Sequence, residues 1–541
     1  MISSSPAPED PGAPGAETHG QASSTADPEP APHRFPSLNP VVFLDRAAVV
    51  HADRPAVVDQ ELHLTYREFA DRCRRLAGGL RSMGIAPGDR VAVLAANSHE
   101  VLEAHYGVPY AAAVLVTLNT RLNPNELAGI VAHSGARVLL HDPPARAAAI
   151  EIARQLGGLA LLETGPDYER LLAGAPSLVA PAEDEFGLLA LNYTSGTTGR
   201  PKGVMYHPRG AYLQSLAMNL HFGLDASSVY LWTLPMFHCN GWCFTWAVTA
   251  AGGTHVCLAR PDPAAVREQL RRHRVTHLCA APTVLAGIVD HDGAPLAAPV
   301  QVAVGGAPPT PALLERSADQ GFELTHLYGL TESFGPAMIC DPKPEWAALP
   351  LPRRAQLQAR QGVPNVLGGQ VRVMDPDGHV LPADGQSVGE IMLRGNNVMT
   401  GYYRDPEATA ATLIDGWLRT GDLGVVHPDG YVQLRDRAKD VIISGGENIS
   451  SVEVEAVLAA HPAVSEAAVV AAPDERWGER PVAWVSLRAG TTADPEELRA
   501  FVRDRLAGFK VPDRVLFGEL PKTASGKIRK VELRARLRGG Q

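Results

Sequence analysis

The sequence predicts an α/β protein. A large N-terminal domain of stacked, mostly parallel sheets with helices carries a small β-barrel, and a smaller α+β C-terminal domain follows. Three observations predict this. Short aliphatic runs alternate with helical stretches at Arg90-Val-Ala-Val-Leu-Ala-Ala, Ala136-Arg-Val-Leu-Leu, Gly253-Thr-His-Val-Cys-Leu, Val275-Thr-His-Leu-Cys-Ala-Ala and Val300-Gln-Val-Ala-Val-Gly-Gly; such continuous apolar strands suit sheets covered on both faces. From about Gly362 to Gln433 the texture changes to short strands split by the turns Asp375-Pro-Asp-Gly378 and His427-Pro-Asp-Gly430, as in a small barrel. After Lys439 a helix (Ser451 to Ala460), two strands (Ala467 to Ala472, Val482 to Leu487) and a helix (Pro495 to Leu506) make a compact unit.

At 541 residues the chain is too long for one core, and its 45% hydrophobic content supplies several. Residues 1–35 are rich in Pro, Ala, Ser and Gly with almost no large apolar side chain, so a disordered tail is expected there. Folded sequence begins near Leu38, with a helix from Val41. Thr65 caps the next one, whose apolar residues Tyr66, Phe69, Cys73, Leu76 and Leu80 share a face, and Gly84 closes it. The expected division is 1–35, 36–437 and 438–541.

Composition excludes several functions. A net charge of -10 argues against a sequence-independent grip on nucleic acid. No apolar run is long enough for an integral membrane segment and no signal peptide is legible, so a cytoplasmic protein is expected. Six unpaired cysteines suit a reducing compartment, and His238, Cys239 and Cys243 lack the second ligand pair of a zinc site.

The densest chemistry lies in Leu189-Ala-Leu-Asn-Tyr-Thr-Ser-Gly-Thr-Thr-Gly-Arg-Pro-Lys-Gly-Val204. An apolar strand runs into a loop where Gly196, Gly199 and Gly203 let backbone N–H groups approach an anion. Thr194, Ser195, Thr197 and Thr198 add hydroxyls, and Lys202 a charge. A polyphosphate is the natural guest, although the spacing is not that of a Walker loop.

This loop closely resembles the nucleotide loop of the adenylate-forming superfamily: acyl-CoA synthetases, peptide-synthetase adenylation domains and beetle luciferases. Tyr328-Gly-Leu-Thr-Glu332, Thr420-Gly-Asp-Leu423, Arg435-Asp-Arg-Ala-Lys-Asp440 and Pro521-Lys-Thr-Ala-Ser-Gly-Lys527 follow in the family's order, so the resemblance covers nearly everything beyond Leu38. It implies an acid-thiol ligase that joins a small carboxylic acid to coenzyme A, using ATP and Mg2+ through an acyl-AMP intermediate. Gly305, Gly306 and Ala307 resemble the segment against adenine, followed by Tyr328 and Gly329, which are read as a turn. Thr331 and Glu332 resemble the pair at the α-phosphate and Mg2+, with Thr194 a further metal contact. Asp422, read as lying in a turn, matches the ribose carboxylate and Arg437 its partner; Lys439 aligns with the hinge. Lys527 matches the lysine that reaches the reacting carboxylate and α-phosphate, with Thr194 and His238 beside those atoms. Gly445 and Gly446 resemble the segment that meets the pantetheine arm. Gly329 stands where acetate-selecting members carry a tryptophan, which implies room for a larger acyl group.

The alternative within the superfamily is a free-standing enzyme that loads a carrier protein. No carrier domain follows Gln541, which favours free CoA. The Gly385-Gln-Ser-Val-Gly389 match to a hydrolase elbow lacks the strand before and the helix after that the elbow needs. The sequence identifies neither the acid nor the oligomeric state, leaving a homodimer open.

Overall fold

The computed structural model describes residues 35–194, 201–291, 294–367, 369–444, 447–474, 476–523 and 526–539. The tail expected at 1–35 lies outside these except for its last residue. Residues from Ser37 onward form one compact unit.

Two large sheets organise that unit. The larger has nine strands: Val363–Pro364, Gly335–Ile339, Phe322–Leu330, Val300–Val304, His277–Ala280, Val229–Leu231, Thr254–Cys257, Pro55–Asp59 and Leu62–Thr65 from edge to edge. It is parallel from Phe322–Leu330 through Pro55–Asp59 and antiparallel at both ends. The second has six strands: Ala160–Glu163, Ala136–His141, Arg90–Leu94, Val114–Thr117, Ala190–Tyr193 and Gly203–Tyr206, of which only the last runs antiparallel. The apolar runs are continuous because both faces are covered. Val91 and Val93 enter a core shared with Val57, Tyr230 and Trp232 of the larger sheet. Ala92 and Leu94 turn instead to an outer core with Leu127 and Ile152 from flanking helices. In the shared core the helix His99–Tyr110 is buried from Glu100 to Tyr110. The helix Tyr66–Ser82 begins at the expected cap: Glu68 N–H donates to the Thr65 hydroxyl, and the Glu68 carboxylate accepts from Thr65 N–H.

The expected barrel is an antiparallel sheet of five strands, Gln370–Met374, Gly389–Arg394, Trp417–Val426, Leu413–Ile414 and Val432–Arg437. No pair closes it into a barrel among the described residues. Ser387 precedes the strand Gly389–Arg394 and donates to Asp384, so no nucleophile elbow forms there. The C-terminal sheet joins Glu447–Ile449, Ile442–Ser444, Gly478–Leu487 and Val464–Asp474, with Arg514–Phe517 parallel to Gly478–Leu487. Here again neighbouring residues divide between faces, Val469 to one core and Ala468 and Val470 to another.

Candidate active site

The base of the nucleotide loop is closed by sheet pairing. Tyr193 is registered with Gly203, and Thr194 N–H donates to the Lys202 carbonyl at 3.0 Å. The tip, with Ser195, Gly196, Thr197, Thr198 and Gly199, lies outside the described residues. The Lys202 ammonium sits 4.7 Å from the centroid of the Tyr402 ring. The Tyr402 hydroxyl donates to Glu332 Oε1 at 2.7 Å. Thr331 and Glu332 open a 3-10 turn, Thr331–Ser333, and the Thr331 carbonyl accepts from the Tyr206 hydroxyl at 2.8 Å.

Three residues read as lying in turns are in strands. Tyr328 and Gly329 belong to Phe322–Leu330, with a bulge between them. Asp422 lies within the ten-residue strand Trp417–Val426, registered with Arg437. Gly421 has φ +68°, which gave the sequence its turn signature, but the chain stays paired on both sides of it. Strand placement makes Asp422 rigid. It is 3% exposed, and Oδ2 accepts from the Tyr328 hydroxyl at 2.8 Å. Arg437 Nε stands 2.9 Å from Oδ1, yet out of hydrogen-bond alignment, so that buried oxygen accepts no hydrogen bond among the described residues. A buried carboxylate oxygen without a donor is costly, and ribose hydroxyls would supply the donors.

Gly305, Gly306 and Ala307 follow the strand Val300–Val304. A side-chain carbon at Gly306 would meet nothing within 4 Å, so the space beside it is open, as a bound adenine would require. Gly305 is different: a Cβ there would lie 2.8 Å from the Trp242 ring, and one at Gly335 would lie 3.1 Å from the same ring. Trp242 is 5% exposed and fills the space beside both glycines. It lies within a tight left-handed stretch in which Cys239, Asn240, Gly241, Trp242 and Cys243 have φ from 51° to 64°. Asn240 is fixed by Asn192 of the strand leading to the loop, whose amide donates to Asn240 Oδ1 at 2.7 Å. His238 immediately precedes the stretch; burial, then Lys527, pulls its imidazole down to about 4. Cys239 Sγ lies 3.7 Å from Thr331 Oγ1, and all six cysteines are buried free thiols.

The inference drawn from Gly329 does not survive the geometry. A Cβ at Gly329 would stand 1.8 Å from the Gly335 carbonyl oxygen of the adjoining strand. The glycine permits two backbones to approach, so its missing side chain does not measure room for acyl groups.

Lys527 belongs to the C-terminal part yet reaches this site. Thr523 and Lys527 close a hairpin (Thr523 N–H to the Lys527 carbonyl, 2.7 Å; Lys527 N–H to Thr523 Oγ1, 3.0 Å). The hairpin is held by Arg121 Nη1 on the Thr523 carbonyl at 3.1 Å and by Thr283 Oγ1 on the Gly526 carbonyl at 3.3 Å. Burial, then the Arg437 charge, pulls the Lys527 ammonium down to about 8, with Asp422 acting the other way. Among the described residues it makes no ion pair within 4.0 Å. Lys439 is exposed in the turn joining Val432–Arg437 to Ile442–Ser444. Gly445 and Gly446 lie outside the described residues.

The structure thus gathers Lys202, Glu332, Tyr328, Asp422, Arg437, His238 and Lys527 from five parts of the chain. Two residues of this neighbourhood were not singled out in the sequence. Tyr402 looks like any aromatic in Gly401-Tyr-Tyr-Arg-Asp, and Trp242 like a core tryptophan; only tertiary contact distinguishes them.

The AMP-binding enzyme family profile matches residues 44–403, and the AMP-binding enzyme C-terminal domain profile matches 453–527. The chain belongs to the AMP-binding enzyme family. It is 44% identical to the peroxisomal acetate/butyrate–CoA ligase AAE7 of Arabidopsis thaliana, over 93% of this chain and 95% of that one. It is 41% identical to 4-hydroxybutyrate–CoA ligase 2 of Metallosphaera sedula, over 94% and 96%. Among solved structures it is similar to ATP-bound MatB from Rhodopseudomonas palustris, with a TM-score of 0.83 and 28% identity over 92% of this chain and 99% of that one. It is also similar to the anthranilate CoA ligase AuaEII in complex with anthranoyl-AMP, with a TM-score of 0.85 and 25% identity over 93% and 98%.

Proposed function

We infer that the protein is an ATP-dependent, AMP-forming carboxylate:CoA ligase acting on short acids. The observation that carries the nucleotide half is Asp422 Oδ1, buried beside Tyr328 and Arg437 without a hydrogen-bond donor. Near-full-length similarity to CoA ligases supports CoA as acceptor and does not favour the carrier-loading alternative.

A carboxylate is a poor acyl donor because its oxide leaves badly; esterifying it to AMP supplies a better leaving group. As carboxylate and α-phosphate approach, negative charge accumulates, and cations fixed in advance lower that barrier. Lys527 and Lys202 are placed for this role. Tyr328, Asp422 and Arg437 would hold the ribose, and Gly306 the adenine. Mg2+, when bound, would neutralise phosphate charge. The hard oxygens of Glu332 fit it, since among the described residues only Oε1 is engaged, by a hydroxyl, and the carboxylate stands near Lys202 through Tyr402. Thr194 would be a second contact. The division at residues 437 and 438 is part of this reading: the exposed Lys439 turn would let 438–541 reorient, withdrawing Lys527 and admitting the pantetheine arm past Gly445 and Gly446.

Trp242 supports a short acid. Its ring occupies the space beside Gly305 and Gly335, and this reading puts the far end of the acyl chain on that side. The relatives named for acetate, butyrate and 4-hydroxybutyrate agree in size. The test is a carboxylate panel scored by CoA-dependent AMP release. Acetate to butyrate should exceed octanoate and benzoate, and Trp242→Ala should shift preference toward longer chains. A wild-type optimum at eight carbons or more would overturn the short-acid reading while leaving the ligase reading intact.

A cytoplasmic location is supported by six free thiols. No helix among the described residues is long and apolar enough to cross a membrane.

A further inference from the structure

We propose that Tyr402 is a positioning residue for the metal–nucleotide complex, setting the spacing between the Lys202 cation and the Glu332 carboxylate. The inference rests on the proposed roles of those two residues and adds what holds them together.

Tyr402 is built in from every side. The segment around it is hydrogen-bonded alongside the strand that leaves the phosphate loop: Met205 N–H donates to the Gly401 carbonyl at 3.0 Å, Tyr403 N–H to the Gly203 carbonyl at 2.7 Å, and Val204 bridges Tyr402. Upstream, Met399 N–H donates to the Glu332 carbonyl at 2.9 Å. Downstream, Tyr402 N–H donates to Thr409 Oγ1 at 2.9 Å, from the first turn of helix Pro406–Thr412, where Asp405 caps Ala408. One short strap therefore touches both the end of the phosphate loop and the metal carboxylate. The side chain repeats that connection, with its ring face under the Lys202 ammonium and its hydroxyl on Glu332 Oε1. Tyr402 is 7% exposed, so the ring has little freedom to leave.

This arrangement answers a specific problem. Lys202 and Glu332 carry opposite charges, and a direct ion pair would neutralise both before any nucleotide arrives. The aromatic ring gives the ammonium a weak, non-ionic seat. The hydroxyl occupies one lone pair of Glu332 Oε1 and leaves Oε2 without a hydrogen bond among the described residues. Both charges stay available and oriented, which lowers the reorganisation needed when Mg·ATP binds.

The test compares Tyr402→Phe, which keeps the ring, with Tyr402→Leu, which removes it, and uses Glu332→Gln as reference. Binding of Mn2+ in the presence of ATP is read by electron paramagnetic resonance, alongside KM for ATP in pyrophosphate exchange and thermal melting. Tyr402→Phe should weaken Mn2+ binding about ten- to a hundredfold, the worth of one hydrogen bond to a charged group. Its KM for ATP at saturating metal should stay near wild type. Tyr402→Leu should also raise KM for ATP, by about two- to tenfold, as Lys202 loses its seat. Both losses should fall on adenylation rather than on thioester formation from supplied acyl-AMP. If Glu332→Gln weakens Mn2+ binding but Tyr402→Phe does not, the positioning role is overturned and the metal site stands. If neither changes it, the metal site itself is wrong. A lowered melting point with equal loss in both half-reactions would reduce Tyr402 to packing.

Discussion

Glu103 and Asp422 are carboxylates of nearly equal burial, 0% and 3% exposed, that differ in what surrounds them. Glu103 lies in the shared core on the helix His99–Tyr110. Its Oε1 accepts from Arg72 Nε at 2.5 Å and its Oε2 from the Tyr168 hydroxyl at 2.6 Å, while Arg72 also holds Glu169. Asp422 has a donor on one oxygen only, and its cation stands out of line. The first network is complete within the protein; the second leaves room for a donor, which the proposed ribose hydroxyls would supply. Burial alone does not mark a site, but burial with a missing partner does.

The largest effect should come from breaking the complete network. Glu103→Ala leaves Arg72 without its main partner in the core, and about 3–5 kcal/mol of stability should be lost. Chemical denaturation measures this, and turnover per folded molecule should be little changed. An equal loss of turnover would show that the core network reaches the site.

Next in size is Lys527→Ala. Adenylation should fall about 10²- to 10³-fold, the scale of losing one preorganised electrostatic contact, while supplied acyl-AMP and CoA still give thioester. Equal loss of both half-reactions would contradict a role confined to the first step. Asp422→Asn should cost about 10- to 100-fold in kcat/KM for ATP with a smaller loss of stability than Glu103→Ala, because the amide keeps an acceptor for the Tyr328 hydroxyl and gives up only the charge facing Arg437. A strong drop in stability would place Asp422 with Glu103.

The pH dependence sharpens the contrast further. Lys527 is held near 8, below the ordinary 10.5 of a lysine, by burial first and Arg437 second. Adenylation needs its cation, so kcat/KM should decline as pH rises through about 8. The limb for kcat should lie higher, because bound phosphates favour the ammonium. Stability runs the other way: between about 8 and 10.5 the unfolded chain binds more protons at this lysine, so its contribution rises with pH. Rate and melting profiles over that range would separate the two trends. The smallest effect concerns His238, already neutral well above its pKa of about 4, which should give no rate limb near 6.5. An acid limb there that vanishes in His238→Asn would contradict this.

The alternation of strands and helices, the Thr65 cap and the order of the motifs were legible in the sequence because periodicity and capping are local. Asp422 and Tyr328 were assigned to turns because Gly421 and Gly329 signal turns locally, whereas strand pairing is decided by partners far along the chain. Gly329 misled for the same reason. What its absent side chain spares is the backbone at Gly335, and that contact has no counterpart in local sequence. Tyr402 and Trp242 gain their meaning from Lys202, Glu332, Gly305 and Gly335, each brought near only by folding.

The left-handed stretch Cys239–Cys243 leads directly into the right-handed helix Phe244–Ala251, so the chain reverses its screw sense at Cys243. A junction between opposite screws cannot slide. Moving it by one residue would drive another side-chain-bearing residue into a conformation costing about 1–2 kcal/mol while returning one to the ordinary basin, with every neighbouring side chain rotated out of phase. The reversal therefore acts as a keyed joint that fixes the angular position of Trp242 about the helix axis. Substitutions that keep the length, glycine included, should be tolerated there better than any single-residue insertion or deletion.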